Sequence, residues 1–437
     1  MTKSFRQKVS QWRNDMKLRA ISTEIVTAAF VVLLPFQWDF PPISLFIMLL
    51  GVVFLFFLNR DYASNLRKST FFWPILAYYA LVAIGLTYSE YPDEGAKDLQ
   101  VQIALIAWPF GLGCLAALNT EAIHRILWYF VRATALSCIL LLGLALSNYL
   151  EDGQVRHFFY KHLSAWELVP QHYLSMYISF ALLIILNRVI NRRSTINKLR
   201  LVEILLYGSV FLAMQVLLSV RIQLIALPLA LLPVIYSGLR TGLLTKKMKR
   251  IGGLSIVALV VAFISLPGTQ RRIVETYHEI RSFNRVVEKK QTNHRVYLWK
   301  YGTDVISENW LIGTGTGGAN EALHIKLQDC QAKFWDGEKV YYLYDKKYNV
   351  HNVFLQAWMT HGLAGFILVI LILFGPLIRA LRQKDQMVAG FLILAIVSFA
   401  TESMLERQAG VLWFAAFYAL LVVNQRREVI PEIKKAP

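Results

Sequence analysis

Charge is scarce in this chain, and cysteine is scarcer. Asp, Glu, Lys and Arg make up 17% of the 437 residues, against about 25% in ordinary globular proteins. Three cysteines, an odd number, exclude a disulfide framework. Cys114 and Cys138 lie in apolar stretches, where a thiol packs as a small hydrophobe, and Cys330 stands alone in a polar region. Low-complexity tracts and internal repeats are also missing. What fills the space is apolar: 56% of residues, above the usual share of about 45–50%, with a mean hydropathy of +0.44. Twelve helices of about 20 residues each would use ~240 residues, close to that apolar share. Soluble, disordered and secreted classes are excluded, and the chain reads as a polytopic membrane protein.

Apolar runs of spanning length fall near 20–36, 41–58, 71–88, 99–119, 125–148, 171–190, 201–218, 222–237, 251–267, 352–378, 387–404 and 408–424. The first is followed by Pro35, Phe36, Gln37 and Trp38 rather than a small-residue cleavage site, so it reads as a retained anchor. The formal charge of +18 orients these runs instead of marking a nucleic-acid partner. Lys and Arg crowd the N-terminal segment and then alternate loops: Arg60, Arg67 and Lys68; Arg188 to Arg200; Arg240 to Arg250; Arg379, Arg382 and Lys384; Arg426 to Lys435. Intervening loops are poor in them, as with Glu90, Asp93, Glu94 and Asp98 against Lys97. By the positive-inside rule both termini are cytoplasmic and the number of spans is even. Residues 201–237, flanked by basic loops on both sides, must therefore cross twice. That requires a tight turn near Leu218, Ser219, Val220 and Arg221, which places Arg221 at the outer face.

The expected architecture is all-α: about 12 transmembrane helices and one large, partly helical extracytoplasmic loop. Residues 1–267 supply helices one to nine, 268–350 the loop, and 351–437 helices ten to twelve. The loop holds 13 Lys and Arg against 10 Asp and Glu, a net of +3 (13 − 10); long loops escape the charge bias. A second external segment, 149–170, mixes Arg156, His157 and Lys161 with Phe158, Phe159, Tyr160 and Trp166, as an interfacial segment does.

Residues 293–306 place Val296, Trp299, Val305 and Ile306 at helical spacing, with Arg295 one turn from Trp299. The run Gly313-Thr314-Gly315-Thr316-Gly317-Gly318 lacks the Gly-Lys-Ser/Thr that a phosphate-cradling loop needs, and reads as a flexible turn closing a helix. His351 ends the loop where the next span opens. Taken singly, Arg221 reads equally as a snorkelling residue, Arg295 as one solvated cation of many, and His351 as an interfacial residue. Together they put two guanidinium forks, suited to phosphate, and one potential base on the outer side. Such a set suits a lipid-linked substrate with a pyrophosphate head. Glu402 and Glu406, near Arg407, read as a structural ion pair or exposed turn ahead of a functional carboxylate. His172 reads as either an acceptor-groove or an interfacial-belt residue.

Three stretches resemble the O-antigen ligase/polymerase superfamily of bacterial membrane glycosyltransferases, and most of all its ligase type. Leu218-Ser219-Val220-Arg221 is similar to the family's Ser-Arg signature, with Val220 where a serine is common. Arg295, Trp299 and Asn309-Trp310-Leu311-Ile312-Gly313-Thr314-Gly315 resemble its Arg, Trp and "N-P-L-x-G-x-G" stretch, with Trp310 for the usual proline. His351-Asn352-Val353-Phe354-Leu355, followed by Gly362 and Gly365, resembles its "H-N-x-F-L…G…G" block. The resemblance implies inverting transfer of a glycan from undecaprenyl pyrophosphate to a periplasmic acceptor hydroxyl, at the bacterial inner membrane, without metal or other cofactor. In ligases the acceptor is lipid A–core, in polymerases another lipid-linked glycan, and in related protein transferases a Ser or Thr. The external loop carries no Asp-x-Asp metal-ligand pair. On this reading Arg221 and Arg295 bind the pyrophosphate, Arg295 also stabilises the departing charge, and His351 is the base or a pyrophosphate ligand. The rival class is a lipid-linked glycan transporter, which should place broken helices and polar groups near the midplane.

Overall fold

The computed structural model describes residues 16–36, 50–51, 69–113, 118–164, 170–191, 196–242, 246, 250, 294–331, 333–336, 339–346 and 348–423. The expected runs 41–58 (apart from residues 50–51) and 251–267, and the first part of the large loop, lie outside them.

Apart from the polar α3, helices form along the apolar runs: α1 Met16–Leu33, α2 Phe72–Gly85, α3 Pro92–Gln102, α4 Ala104–Gly113, α5 Thr120–Asp152, α6 Gln171–Asn191, α7 Lys198–Leu218 and α8 Arg221–Arg240. The large loop contributes α9 His294–Glu308 and α10 Gly318–Asp329, and the chain continues with α11 Val353–Gln383, α12 Gln386–Phe399 and α13 Gln408–Tyr418. Five of these, α5, α6, α7, α8 and α11, are long and apolar enough to cross a membrane. The run 99–119 is divided: polar α3 ends at Gln102, and only α4 is apolar. Among the described residues the sole departure from helix and irregular chain is an antiparallel hairpin, β1 Lys333–Asp336 with β2 Lys339–Tyr342.

Starts and stops follow local chemistry. Asn119, Asn197 and Asp385 accept from free N–H groups in the first turns of α5, α7 and α12. The turn expected at 218–221 is present: α7 ends at Leu218, Ser219 takes a left-handed φ of 45°, and α8 begins at Arg221. Past the turn the two helices pack on different neighbours, α7 on α5 and α6, and α8 on α6 and α12.

Long-range pairs sort the helix ends into two groups. At one, Arg125 meets Glu24 at 2.5 Å, Arg132 and Arg200 share Glu203, and Trp128 lies between Arg188 and Arg200. At the other, Gln223 Nε2 donates to Ser398 Oγ (2.8 Å) and Tyr88 to the Ile312 carbonyl (3.1 Å). α8 and α12 run antiparallel between the two, because Gln386 bonds Ser237 at the basic end. This sorting follows the alternation read from the basic loops. An aromatic core of Phe130, Phe180, Phe391, Trp413 and Phe417 fills the centre between them.

α11 is broken. Gly362 adopts φ 62°, ψ −157°, a conformation that essentially only glycine takes. The break frees the carbonyls of Met359 and Thr360 and the N–H of Leu363. The glycine-rich stretch fills those vacancies: Thr314 N donates to Met359 O (2.9 Å), Gly315 N to Thr360 O (3.0 Å), and Trp310 O accepts from Leu363 N (2.9 Å). On its other side Thr316 bonds α2 through Val82 O and Gly85 O. Residues 310–317 are thus a wedge between α2 and α11 rather than the flexible turn expected from sequence, and Thr316 at its tip is 1% exposed.

A Cβ on Gly362 would lie 2.1 Å from Leu311 O, whereas one on Gly153, at a similar φ of 70°, would meet open space. Gly362→Ala should therefore cost more than about 3 kcal/mol, against about 1–2 for Gly153→Ala. Thermal melting of the detergent-solubilised proteins, followed by size-exclusion fluorescence, checks this; equal losses would contradict the wedge.

Candidate functional site

The site forms where α11 begins. Asn352 is its N-cap: its side-chain oxygen accepts from Phe354 N (2.9 Å) and Leu355 N (3.1 Å). The remaining donors of the same residue reach the turn after α12, with Nδ2 to Ala400 O (3.0 Å) and the backbone N–H to Ser403 Oγ (3.1 Å). One asparagine thus fixes the distance between residue 351 and residues 400–403. His351 itself sits at a left-handed φ of 49°, unusual for a side chain with a Cβ. Its N–H is held by Asn349 Oδ1 (3.1 Å), and Val350 O by Trp299 Nε1 of α9 (3.1 Å).

This geometry turns the His351 ring onto Glu402, with Nδ1 at 3.0 Å from Oε2. Arg295 Nη2 donates to the other oxygen, Oε1. His172 Nε2, at the start of α6, stands 3.9 Å from that same oxygen. The Glu402 side chain is only 11% exposed. Burial alone would raise its pKa, but the hydrogen bond to His351 and the charge of Arg295 outweigh that and hold it at about 2. Glu402 therefore stays ionised at any physiological pH. His351 Nε2 is buried and has no hydrogen-bond partner among the described residues. Beside it, His294 stacks on Tyr348 at 4.8 Å between ring centres. Burial and the neighbouring His351 and Arg295 press the His294 pKa down to about 4, so it is neutral near pH 7.

Two of the three residues singled out from sequence, Arg295 and His351, thus meet on one carboxylate. Arg221 begins α8 at the same end of the bundle, two residues before Gln223, whose partner Ser398 accepts in turn from Glu402 N (3.1 Å). Glu402 is not an exposed turn residue, and its charged partners are distant: Arg295 of α9, His351 just before α11 and His172 of α6. Its signal in the sequence was two glutamates in a short gap between apolar runs, which is where a desolvated carboxylate needs a distant cation.

A carboxylate with a folded-state pKa near 2 and an ordinary value near 4.5 contributes stability above pH 4.5 that disappears as pH falls toward 2. The contribution at neutral pH is up to about 3 kcal/mol. Melting temperatures of wild type and Glu402→Gln measured from pH 7 to pH 3 should converge in the acid range; a constant difference would show that Glu402 is not held ionised.

No curated protein matches the chain. Residues 206–370 match the family model described as O-antigen ligase. That segment begins in α7 and ends in the second part of α11, and it contains Arg221, Arg295, the glycine wedge and His351. Its long apolar helices make the chain a membrane protein, and over residues 206–370 it is similar to the O-antigen ligase family.

Proposed function

We propose that the protein transfers a glycan from undecaprenyl pyrophosphate to an acceptor hydroxyl on the periplasmic side of the inner membrane, with lipid A–core as the acceptor. The observation that carries this reading is the convergence of Arg295 and His351 on Glu402 at the end of the bundle that also holds Arg221. Lipid pyrophosphate is a competent leaving group, so the protein must bind it, stabilise the charge that develops on it and activate the acceptor. Arg221 and Arg295 suit the first two tasks as fixed positive charge.

The third task falls to His351. A proton on Nδ1, directed at Glu402, leaves the lone pair on Nε2. As the acceptor O–H loses its proton to Nε2, its oxygen bonds to the anomeric carbon and the carbon–pyrophosphate bond breaks. The electron pair leaves on the pyrophosphate beside the arginines, and the imidazolium is stabilised by Glu402. One displacement inverts the anomeric centre. No step in this scheme calls on a metal or other cofactor. A polymerase or a protein O-oligosaccharyltransferase would use the same groups with another acceptor. The break in α11 would favour a lipid-linked glycan transporter if its freed backbone groups faced a channel, but the wedge occupies them.

His351→Ala should reduce single-turnover transfer by about 100- to 10,000-fold while leaving donor binding within a few-fold of wild type. Loss of donor binding as complete as in Arg295→Ala would instead place the histidine in the pyrophosphate clamp. The proposed orientation has its own check. In intact spheroplasts an impermeant maleimide should label a cysteine at Gln331 and spare one at Lys246, in a cysteine-free background; the opposite pattern would invert the topology.

A further inference from the structure

A second polar cluster lies behind the site, and the transfer reaction does not use it. Glu406 and Asp98 face one small cavity formed by α2, α3, the start of α11 and the turn 400–407, with Gln102 and Gln356 in its wall. Glu406 Oε2 accepts from Asn349 Nδ2 (2.8 Å), and Gln356 Nε2 donates to Asn320 Oδ1 (3.1 Å). The second bond fixes the Gln356 amide with its oxygen left over. Gln102 Oε1 and Gln356 Oε1 are buried without hydrogen-bond partners, on residues 5% and 6% exposed, as is His361 Nδ1 at the same cavity. The free space, about 10 Å³ for the centre of a water-sized sphere, admits one water or one bare ion.

Asn349 and Asn320 both bond Glu406, while the two glutamine oxygens on the wall have no donor among the described residues. Two carboxylates and two amide oxygens are available. The nearest cations are turned outward: Lys97 is exposed and paired with Glu94 at 2.7 Å, and Arg407 is exposed. Asp98 and Glu406 line the same buried space, so their like charges repel. A single water donates two hydrogen bonds and leaves that repulsion in place. A dehydrated hard cation meets every oxygen at once and cancels the charge, and calcium takes such a set of carboxylate and amide oxygens at about 2.3–2.6 Å. We propose that Asp98, Glu406, Gln102 and Gln356 bind one calcium ion, which fastens the turn carrying Glu402 to α3. The ion rests on Glu406 rather than on Glu402, takes no part in the transfer step, and stands or falls independently of the glycosyltransferase reading.

The test uses the full-length protein in non-ionic detergent, stripped with a chelator and then equilibrated with radioactive calcium. Wild type should bind one calcium per chain and melt several degrees higher with calcium than without. Glu406→Gln and Gln102→Met should each weaken binding at least tenfold and lose the calcium-dependent shift. Gln102→Met preserves both carboxylates and the side-chain volume, so it remains informative if the charge variant folds poorly. Absence of stoichiometric calcium on wild type, binding undiminished in both variants, or stabilisation by sodium but not calcium would overturn the proposal.

Discussion

A carboxylate buried at the edge of a membrane is costly unless opposite charge and hydrogen bonds come to it. Glu402 draws them from three places: Arg295 from the large loop, His351 from the loop's end, and His172 from the start of α6. Its two oxygens are divided between guanidinium and imidazole, so one side chain sets the spacing of the two groups. Asn352 makes that division possible by tying the first turn of α11 to residues 400 and 403. The left-handed backbone at His351 is then a local strain supported by a closed ring of hydrogen bonds.

The same ring depends on the wedge. α11 must break at Gly362 for its first two turns to sit over the site while the remainder continues through the bundle. Breaking a helix in an apolar setting leaves backbone groups that water cannot reach, and residues 310–315 supply their partners. Because the wedge also bonds α2 and directly follows α9, the helix that carries Arg295, the position of Arg295 and the break in α11 are mechanically linked.

The five long apolar helices were legible because hydropathy is a local quantity. The tight turn at 218–221 was legible for a related reason: two basic loops flanking one long apolar run leave no other topology. Glu402 was not, since its partners lie 107 and 51 residues away, and a glutamate five residues from an arginine invites a local pairing. The wedge was misread as a flexible turn for the same cause. Its glycines look like freedom until the carbonyls they approach are known, and nothing in an apolar run marks Gly362 as a break. The motifs resembling the superfamily identified Arg295 and His351, but not the carboxylate that joins them.

The central claim is that Glu402 and His351 act as one unit. A double-mutant cycle on single-turnover glycan transfer, using Glu402→Gln, His351→Ala and both together, measures this directly. Groups that act as a unit are non-additive, so the double variant should be no more than a few-fold slower than His351→Ala alone. If the two losses multiply, the carboxylate and the imidazole work independently, and the arrangement around Glu402 is structural only.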